Sequence, residues 1–232
     1  VTFPLGLLTT ITGVSGSGKS TLLRDVLYPH ITNYESNRIN NIGGDLTMFN
    51  NVEFVKQSAI GKSSRSNLIT YLKGFDEMRK LFANQKFSKL NNLTAKHFSF
   101  NTDGGRCENC KGDGFILIDM QFMSDIKITC EECQGKRYKD TVLNAFYNNK
   151  NINDLLCMTI DELYDFFIKT DEKKLIRYLE PLRKVGLGYV KSGQTLSTLS
   201  GGELQRLKLA SFLNTNLENS ILIFDEPTTG LH

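Results

Sequence analysis

Two Cys-x-x-Cys pairs in the middle of the chain constrain its fold more strongly than any other feature. The pairs are Cys107 with Cys110 and Cys130 with Cys133, separated by 19 residues. This spacing is typical of four thiolates that hold one zinc ion, and a glycine after each pair lets the backbone turn its amides toward the sulfurs. Because four thiolates leave no coordination position for water, we expect a structural Zn²⁺ site. A redox-active dithiol is the alternative.

The composition excludes several classes of protein. With 232 residues, 40% of them hydrophobic and 23% charged, the chain can bury a core, and disorder is not expected. It contains neither an apolar run near the 18 residues of a membrane span nor a signal-peptide pattern. Cysteines that lie mostly in close pairs argue against a secreted disulfide framework, so we expect a cytoplasmic protein with no membrane partner. Cys157 stands apart in an apolar setting, which predicts a buried small hydrophobe.

A glycine-rich phosphate-binding loop lies near the start of the chain, where residues 13–20 read Gly-Val-Ser-Gly-Ser-Gly-Lys-Ser. An apolar run at 7–12 predicts a buried parallel strand before it, and residues 20–27 predict a helix after it. In such a loop Lys19 reaches the β- and γ-phosphates and the Ser20 hydroxyl helps to hold Mg²⁺. The alternative is a turn that happens to fit the pattern. The predicted phosphate-binding residues are Gly13, Ser15, Gly16, Ser17, Gly18, Lys19, Ser20 and Thr21.

Two further motifs stand near the other end of the chain. Residues 221–224 predict a buried strand that ends at Asp225, a position suited to Mg²⁺, and Glu226 is placed to orient and deprotonate an attacking water. The alternative is a strand that ends in a solvated acidic turn. Residues 199–206 read Leu-Ser-Gly-Gly-Glu-Leu-Gln-Arg and open a helix predicted for 203–214. Taken alone, this second motif is only a capped helix start.

Together these motifs match the signature of ATP-binding cassette (ABC) proteins. The expected zinc knuckles lie between two of these features, namely a glutamine after the predicted 52–55 strand and the Ser-Gly-Gly-Glu motif. In this arrangement the chain resembles the C-terminal cassette of the UvrA family. That family senses DNA damage in bacterial nucleotide excision repair. The resemblance is carried by residues 12–20, 57–62, 65–67, 75–82, 98–101, 104–114, 135–138, 185–189 and 225–232.

The resemblance implies an α/β fold, a P-loop NTPase core of the ABC type with an inserted zinc-binding hairpin and a helical signature subdomain. It implies ATP held between two cassettes, so that Ser200, Gly201 and Gly202 contact the γ-phosphate across the interface. A second ABC cassette is then required for full ATPase activity. The resemblance also implies that Gln57 touches Mg²⁺ and the attacking water.

The expected domain organisation follows from the positions of the motifs. We expect a first part of the ATP-binding core at 1–60, an insertion at 61–195 and the signature and acidic strand at 196–232. The insertion would hold a zinc module at about 98–140 and helices at 158–169 and 173–185, the second ending in a turn at 186–188. We expect the chain to be a fragment of a longer protein.

The resemblance further implies double-stranded DNA as a partner, with damage sensed through duplex deformability. Residues 56–89 contain eight Lys or Arg and only two acids, whereas residues 104–139 have no net charge. The zinc segment is therefore not expected to grip DNA by its charge. The candidate DNA contacts are Lys62, Arg65, Arg106, Lys111, Lys136 and Arg137. For any single lysine, a solvated helical face is the alternative.

Three functions fit the sequence. The first is a UvrA-like subunit of nucleotide excision repair, whose UvrB-type helicase partner would bind through an N-terminal half that is absent here. The second is a UvrA-like paralogue that serves drug resistance, and the third is a catalytically incompetent zinc and DNA-binding remnant. An ordinary transporter cassette is disfavoured because it has no place for four thiolates.

Overall fold

The computed structural model describes residues 2–32, 48–49, 51–55, 65–120, 125–213 and 218–226. In chain order its elements are α1 (Lys19–Thr21), a π-helix (Leu22–Leu27), α2 (Tyr28–Thr32), β1 (Asn51–Val55), α3 (Leu68–Tyr71), α4 (Gly74–Ala83), α5 (Lys86–Leu90), β2 (Phe115–Ile118), β3 (Ile126–Thr129), α6 (Asp140–Leu143), α7 (Ile152–Cys157), α8 (Ile160–Lys169), α9 (Lys173–Lys184), a 3₁₀ turn (Leu196–Thr198), α10 (Gly201–Leu213) and β4 (Ser220–Phe224). They fall into two compact units, residues 1–58 with 216–229 and residues 59–215 with 230–232.

The first unit pairs two strands that are far apart in sequence. Strand β1 runs parallel to β4, with Asn51 opposite Ser220 and Val55 opposite Phe224. Both strands are rich in β-branched and aromatic residues, which suit a pleated, partly buried surface. Parallel strands need a crossover connection, and the chain segment that connects β1 to β4 contains nearly all of the second unit. The helix expected at 20–27 is confirmed, as the middle of a continuous helical segment over residues 19–32.

The strand expected at residues 7–12 is absent, so this prediction was wrong. These residues have no regular secondary structure, and Leu7 and Leu8 are 73% and 97% exposed. A strand exists only where a neighbour accepts and donates its backbone hydrogen bonds. Within the described residues β1 and β4 pair only with each other, so apolar β-branched character at 7–12 does not suffice.

The second unit is mainly helical, and local signals fix where its helices begin and end. Asn67, Asn151 and Thr159 each open a helix through a capping box. Helix α9 ends where Gly186 takes a φ of 74° and its N–H donates to the Arg183 carbonyl, as in a Schellman motif. The helices predicted at 158–169, 173–185 and 203–214 are present, with starts shifted by up to two residues.

The core of this unit lies between the apolar faces of its helices. Leu163 and Phe167 of α8 and Leu179 and Leu182 of α9 are fully buried at helical spacing. Cys157 corrects a second prediction, because it is exposed at the end of α7. The buried face of that helix is taken by Ile152, Leu155 and Leu156.

The zinc-knuckle region carries an antiparallel hairpin that is exposed on both faces. Strand β2 pairs with β3 in a register that sets Ile116 opposite Ile128 and Ile118 opposite Ile126. These four isoleucines share one face and are each 40–47% exposed. No helix in the described residues is long and apolar enough to cross a membrane.

Truncation of Leu179 tests the packing of α8 against α9. Leu179→Ala removes a fully buried side chain, so we expect the zinc-loaded protein to lose about 2–5 kcal/mol of unfolding free energy, measured by urea titration. Leu90→Ala is the matched control, because Leu90 is 74% exposed and its truncation should change stability by less than about 0.5 kcal/mol. Equal effects of the two variants would contradict this packing.

Candidate functional site

The four cysteines of the Cys-x-x-Cys pairs converge in a closed cluster. Their sulfurs lie within 4.8 Å of one another, with 3.9 Å between Cys107 and Cys130 and 3.6 Å between Cys110 and Cys133. All four side chains are buried, and none forms a disulfide. Zn–S bonds of about 2.3 Å in a tetrahedron place sulfurs about 3.8 Å apart, so the cluster fits a structural zinc ion.

The same backbone turn follows each ligand pair. Lys111 and Gln134, which follow the second cysteine of each pair, take φ values of 50° and 48°, and the next residue is a glycine with φ above 80°. The Asp113 N–H donates to the Cys110 carbonyl, and the Lys136 N–H donates to the Cys133 carbonyl. The Gly114 N–H points at the Cys110 sulfur from 3.2 Å. The knuckles therefore hold the sulfurs in place by means of backbone geometry.

Burial disfavours the thiolate form of two of the four cysteines. It raises the pKa of the Cys107 thiol to about 12 and also raises the pKa of Cys133. At Cys130 burial acts in the same direction, but hydrogen bonds from the Cys133 backbone and thiol outweigh it, so that the pKa of Cys130 is lowered. An apolar site disfavours a thiolate unless a positive charge compensates it. A zinc ion would supply that charge, and the donor set consists of soft sulfur ligands that suit it.

The cluster is anchored to the helical core by close backbone contacts. A Cβ atom at Gly112 would lie 2.0 Å from the Phe100 carbonyl oxygen, and one at Gly105 would lie 1.7 Å from the His97 carbonyl oxygen. The fully buried Tyr138 donates its hydroxyl to the Phe98 carbonyl at 3.0 Å. Only glycine allows these approaches, so the knuckles and the core form one packed body.

The phosphate-binding loop forms a backbone cradle at the start of α1. Gly16 and Gly18 take φ values of 80° and 86°, and nothing lies within 4 Å of where their Cβ atoms would be. The Lys19 ammonium donates to the Gly13 and Val14 carbonyls, both at 2.8 Å. The lysine side chain thus folds back onto the carbonyls of its own loop.

The acidic strand end meets this loop. The Ser20 hydroxyl donates to Asp225 Oδ1 at 2.7 Å, although the two residues are 205 positions apart. Hydroxyl and carboxylate oxygens are the ligands that Mg²⁺ prefers, so the pair fits this ion. Glu226 follows with a φ of 48°, in a bend directly after β4, and its side chain is exposed. Gln57, predicted to act with it, lies outside the described residues.

The Ser-Gly-Gly-Glu motif opens α10 through a reciprocal cap. The Ser200 N–H donates to Glu203 Oε2 at 2.7 Å, and the Glu203 N–H donates to the Ser200 hydroxyl at 3.3 Å. Ser200 and Gly201 are exposed, while Gly202 is buried. The Tyr189 hydroxyl donates a hydrogen bond to the other oxygen of this carboxylate, Glu203 Oε1, at 2.6 Å. Sequence reasoning missed Tyr189, because no local pattern links it to a residue fourteen positions away.

The candidate DNA-contact residues differ in their surroundings. Arg65 forms a two-point ion pair with Asp113, and Arg106 pairs with Asp103. Arg137 lies over the Phe100 ring at 5.5 Å. Lys111 and Lys136 are exposed on the knuckles and form no ion pair within the described part of the chain. Lys62 lies outside the described residues.

Comparisons with known proteins give a consistent assignment. A family model described as ABC transporter matches residues 1–229. UvrABC system protein A of Streptomyces coelicolor is 47% identical over 239 residues, which cover 100% of this chain and 23% of that protein. UvrABC system protein A of Aquifex aeolicus is also 47% identical over 239 residues, covering 100% of this chain and 26% of that protein.

A solved structure agrees with these matches. The crystal structure of UvrA2 from Deinococcus radiodurans matches with a TM-score of 0.90 and 44% identity, covering 99% of this chain and 28% of that chain. The chain spans about a quarter of the length of the curated relatives that it matches. The fold is therefore that of an ABC-type P-loop ATPase core, as the sequence predicts.

Removal of one ligand tests the metal cluster. Cys133→Ser replaces a buried thiolate by a weaker zinc ligand, so we expect the full-length protein to retain one equivalent of zinc fewer than the wild type, measured by elemental analysis. Cys157→Ser makes the same change at an exposed cysteine and should retain the full zinc content. Undiminished zinc in Cys133→Ser would contradict the site.

Proposed function

Since the chain belongs to the ABC transporter family, we propose that it binds and hydrolyses ATP as the C-terminal cassette of a UvrA-type DNA-repair protein. One observation carries the ATPase proposal, namely the hydrogen bond that joins Ser20 of the phosphate-binding loop to Asp225. The repair role is supported by the likeness to UvrABC system protein A along the whole chain. The four-cysteine cluster in the same chain as the nucleotide motifs agrees with it.

The phosphate-binding loop would hold the nucleotide. Its backbone amides and the Lys19 ammonium would meet the phosphates, and the side chains of Ser15, Ser17 and Thr21 border the loop. The Ser20 hydroxyl and the Asp225 carboxylate would bind Mg²⁺, which neutralises charge on the transferred phosphoryl group. The lysine would exchange its carbonyl partners Gly13 and Val14 for phosphate oxygens.

Water activation would fall to the residue after Asp225. Glu226 carries a carboxylate that can accept a proton from the attacking water, and the turn after β4 presents it at the strand end. Gln57 would orient the same water. The exposed Ser200 and Gly201, with the Gly202 amide, would meet the γ-phosphate of a nucleotide bound to a second cassette, so that turnover requires two cassettes.

A single amide substitution tests this chemistry. Glu226→Gln keeps size and hydrogen bonding but removes the general base, so we expect kcat for ATP hydrolysis by the full-length protein to fall about 10²–10⁴-fold, measured by phosphate release. The dissociation constant for ATP should stay unchanged. Glu53→Gln is the control, because Glu53 is an exposed acid on the paired strand β1, and it should hydrolyse ATP at the wild-type rate.

The same variant separates repair from drug resistance. The wild-type gene should restore ultraviolet survival to a repair-deficient cell, and Glu226→Gln should fail to do so. Survival of an intercalating drug without any gain in ultraviolet survival would instead favour the drug-resistance paralogue. A wild-type protein without turnover would indicate the non-catalytic remnant.

Double-stranded DNA is the partner that we propose for the zinc-knuckle region. Lys111 and Lys136 are exposed, one in each knuckle, at one and three residues after its second cysteine, and could each meet a backbone phosphate. Arg65 and Arg106 would have to leave Asp113 and Asp103 to do so, whereas Arg137 and Lys62 remain further candidates. Such contacts position a duplex without reading its sequence.

The salt dependence of DNA binding tests these lysines. Lys136→Ala should weaken binding of a damaged duplex and reduce the slope of log K against log salt by about 0.9, because one phosphate contact is lost. The measurement is fluorescence anisotropy of the full-length protein at several salt concentrations. Lys174→Ala removes an exposed lysine on α9 and should leave the slope unaltered. An unchanged slope in both variants would rule out Lys136 as a contact.

The remaining expectations belong to the same proposal. We assign the ATP-binding core to residues 1–60 and 196–232 and the insertion to 61–195. A UvrB-type helicase subunit would bind elsewhere in a longer protein, and the assembly would act in the cytoplasm.

A further inference from the structure

We propose that Tyr189 and Arg206 are positioning residues for ATP hydrolysis, because they hold the Glu203 carboxylate that caps the Ser200 end of α10. The inference rests on the proposed function, in which Ser200 meets a γ-phosphate. Neither residue is assigned a role by the nucleotide-binding motifs. Their contacts form a chain of hydrogen bonds that runs from a guanidinium to the signature serine.

The chain of hydrogen bonds has a defined direction. Arg206 Nη1 donates to the Gly186 carbonyl at 2.9 Å, and Nη2 donates to the Tyr189 hydroxyl at 3.3 Å. The Tyr189 hydroxyl donates its own hydrogen to Glu203 Oε1 at 2.6 Å. The second oxygen of Glu203 accepts the Ser200 N–H at 2.7 Å. The guanidinium charge therefore polarises the tyrosine toward the carboxylate.

The loop that presents Tyr189 is fixed to the core. Leu187 and Val190, on either side of the tyrosine, are buried, and the Val190 carbonyl accepts the Ile160 N–H at 2.9 Å. Gly186 lies against Arg206, since a Cβ there would be 3.3 Å from Nη1. Tyr189 itself is 59% exposed, so its hydroxyl serves the contact with Glu203 and not the core.

The network compensates the negative charge of Glu203 at the start of α10. A carboxylate in the first turn interacts favourably with the positive end of the helix dipole. The same negative charge would repel a phosphate that approaches the amides at this helix start. The hydrogen bond from Tyr189 lowers the pKa of Glu203, so this carboxylate stays ionised, and Arg206 supplies the compensating positive charge nearby. With both carboxylate oxygens held, the Ser200 hydroxyl accepts the Glu203 N–H and keeps its own hydrogen to donate to a phosphate oxygen.

The test is Tyr189→Phe in the full-length protein, which removes only the hydroxyl. We expect kcat for ATP hydrolysis to fall about three- to tenfold while the dissociation constant for ATP, set by the phosphate-binding loop, stays unchanged. In a Glu203→Gln background the same substitution should have a smaller effect, because the contact it removes is already altered. Unchanged zinc content would confirm that the variants are folded.

Tyr147→Phe is the matched control. Its hydroxyl donates to Glu172 Oε1 at 2.8 Å, a tyrosine–glutamate hydrogen bond away from the Ser-Gly-Gly-Glu motif, and its loss should leave kcat unchanged. If Tyr189→Phe leaves kcat unchanged, as Tyr147→Phe should, the inference is wrong while the proposed function stands. The same holds if the fold-decrease in kcat of the double variant equals the product of the decreases of Tyr189→Phe and Glu203→Gln. Absence of turnover in the wild-type protein would overturn the proposed function and the inference with it.

Discussion

The parallel pairing of β1 with β4 is the contact on which the rest of the molecule depends. It joins residues 51–55 to residues 220–224, and it brings Asp225 to the end of the pair near Ser20, which donates a hydrogen bond to it. Because β1 and β4 pair with each other, the chain between the two strands leaves the first unit and returns to it. That intervening chain forms a separate helical unit with its own core. The nucleotide chemistry and the metal cluster are thus parts of one chain that fold around different centres.

The sequence predicts most of what is local in this molecule. Glycines such as Gly112 and the cysteine spacing predict their local structures because each depends on a few neighbouring residues. The helix predicted from residue 158 begins at Ile160, after the Thr159 cap, because its apolar spacing alone does not fix where it starts. Residues 7–12 were predicted wrongly because a strand depends on a partner that its own sequence does not encode. Cys157 was predicted wrongly because the face of a helix end cannot be fixed from its neighbours alone. Long-range pairs such as Arg65 with Asp113 leave no trace in a single sequence.

The metal cluster replaces a hydrophobic core where one would be too small. Beside the hairpin the four cysteines form a buried cluster of their own, whereas the strands are mostly exposed. An isolated two-stranded hairpin is only marginally stable in water. The left-handed residues of the two knuckles and the approach of Gly112 to Phe100 show how the backbone is bent to place the sulfurs. A metal ion bonded to the four side chains would stabilise this region as a layer of packed residues does elsewhere.

The position of the ligands at the base of the hairpin leaves its length free to vary. Neither strand contributes a ligand, and neither belongs to the buried core cluster. Residue pairs could be added or removed beyond the knuckles without disturbing the metal, each changing the reach of the arm by about 3.4 Å. A change of one pair within the strands would move the side chains between that point and the hairpin tip to the opposite face, so there the isoleucine face would survive only changes of two pairs at a time. The length of the hairpin can therefore change only in discrete steps of one residue pair.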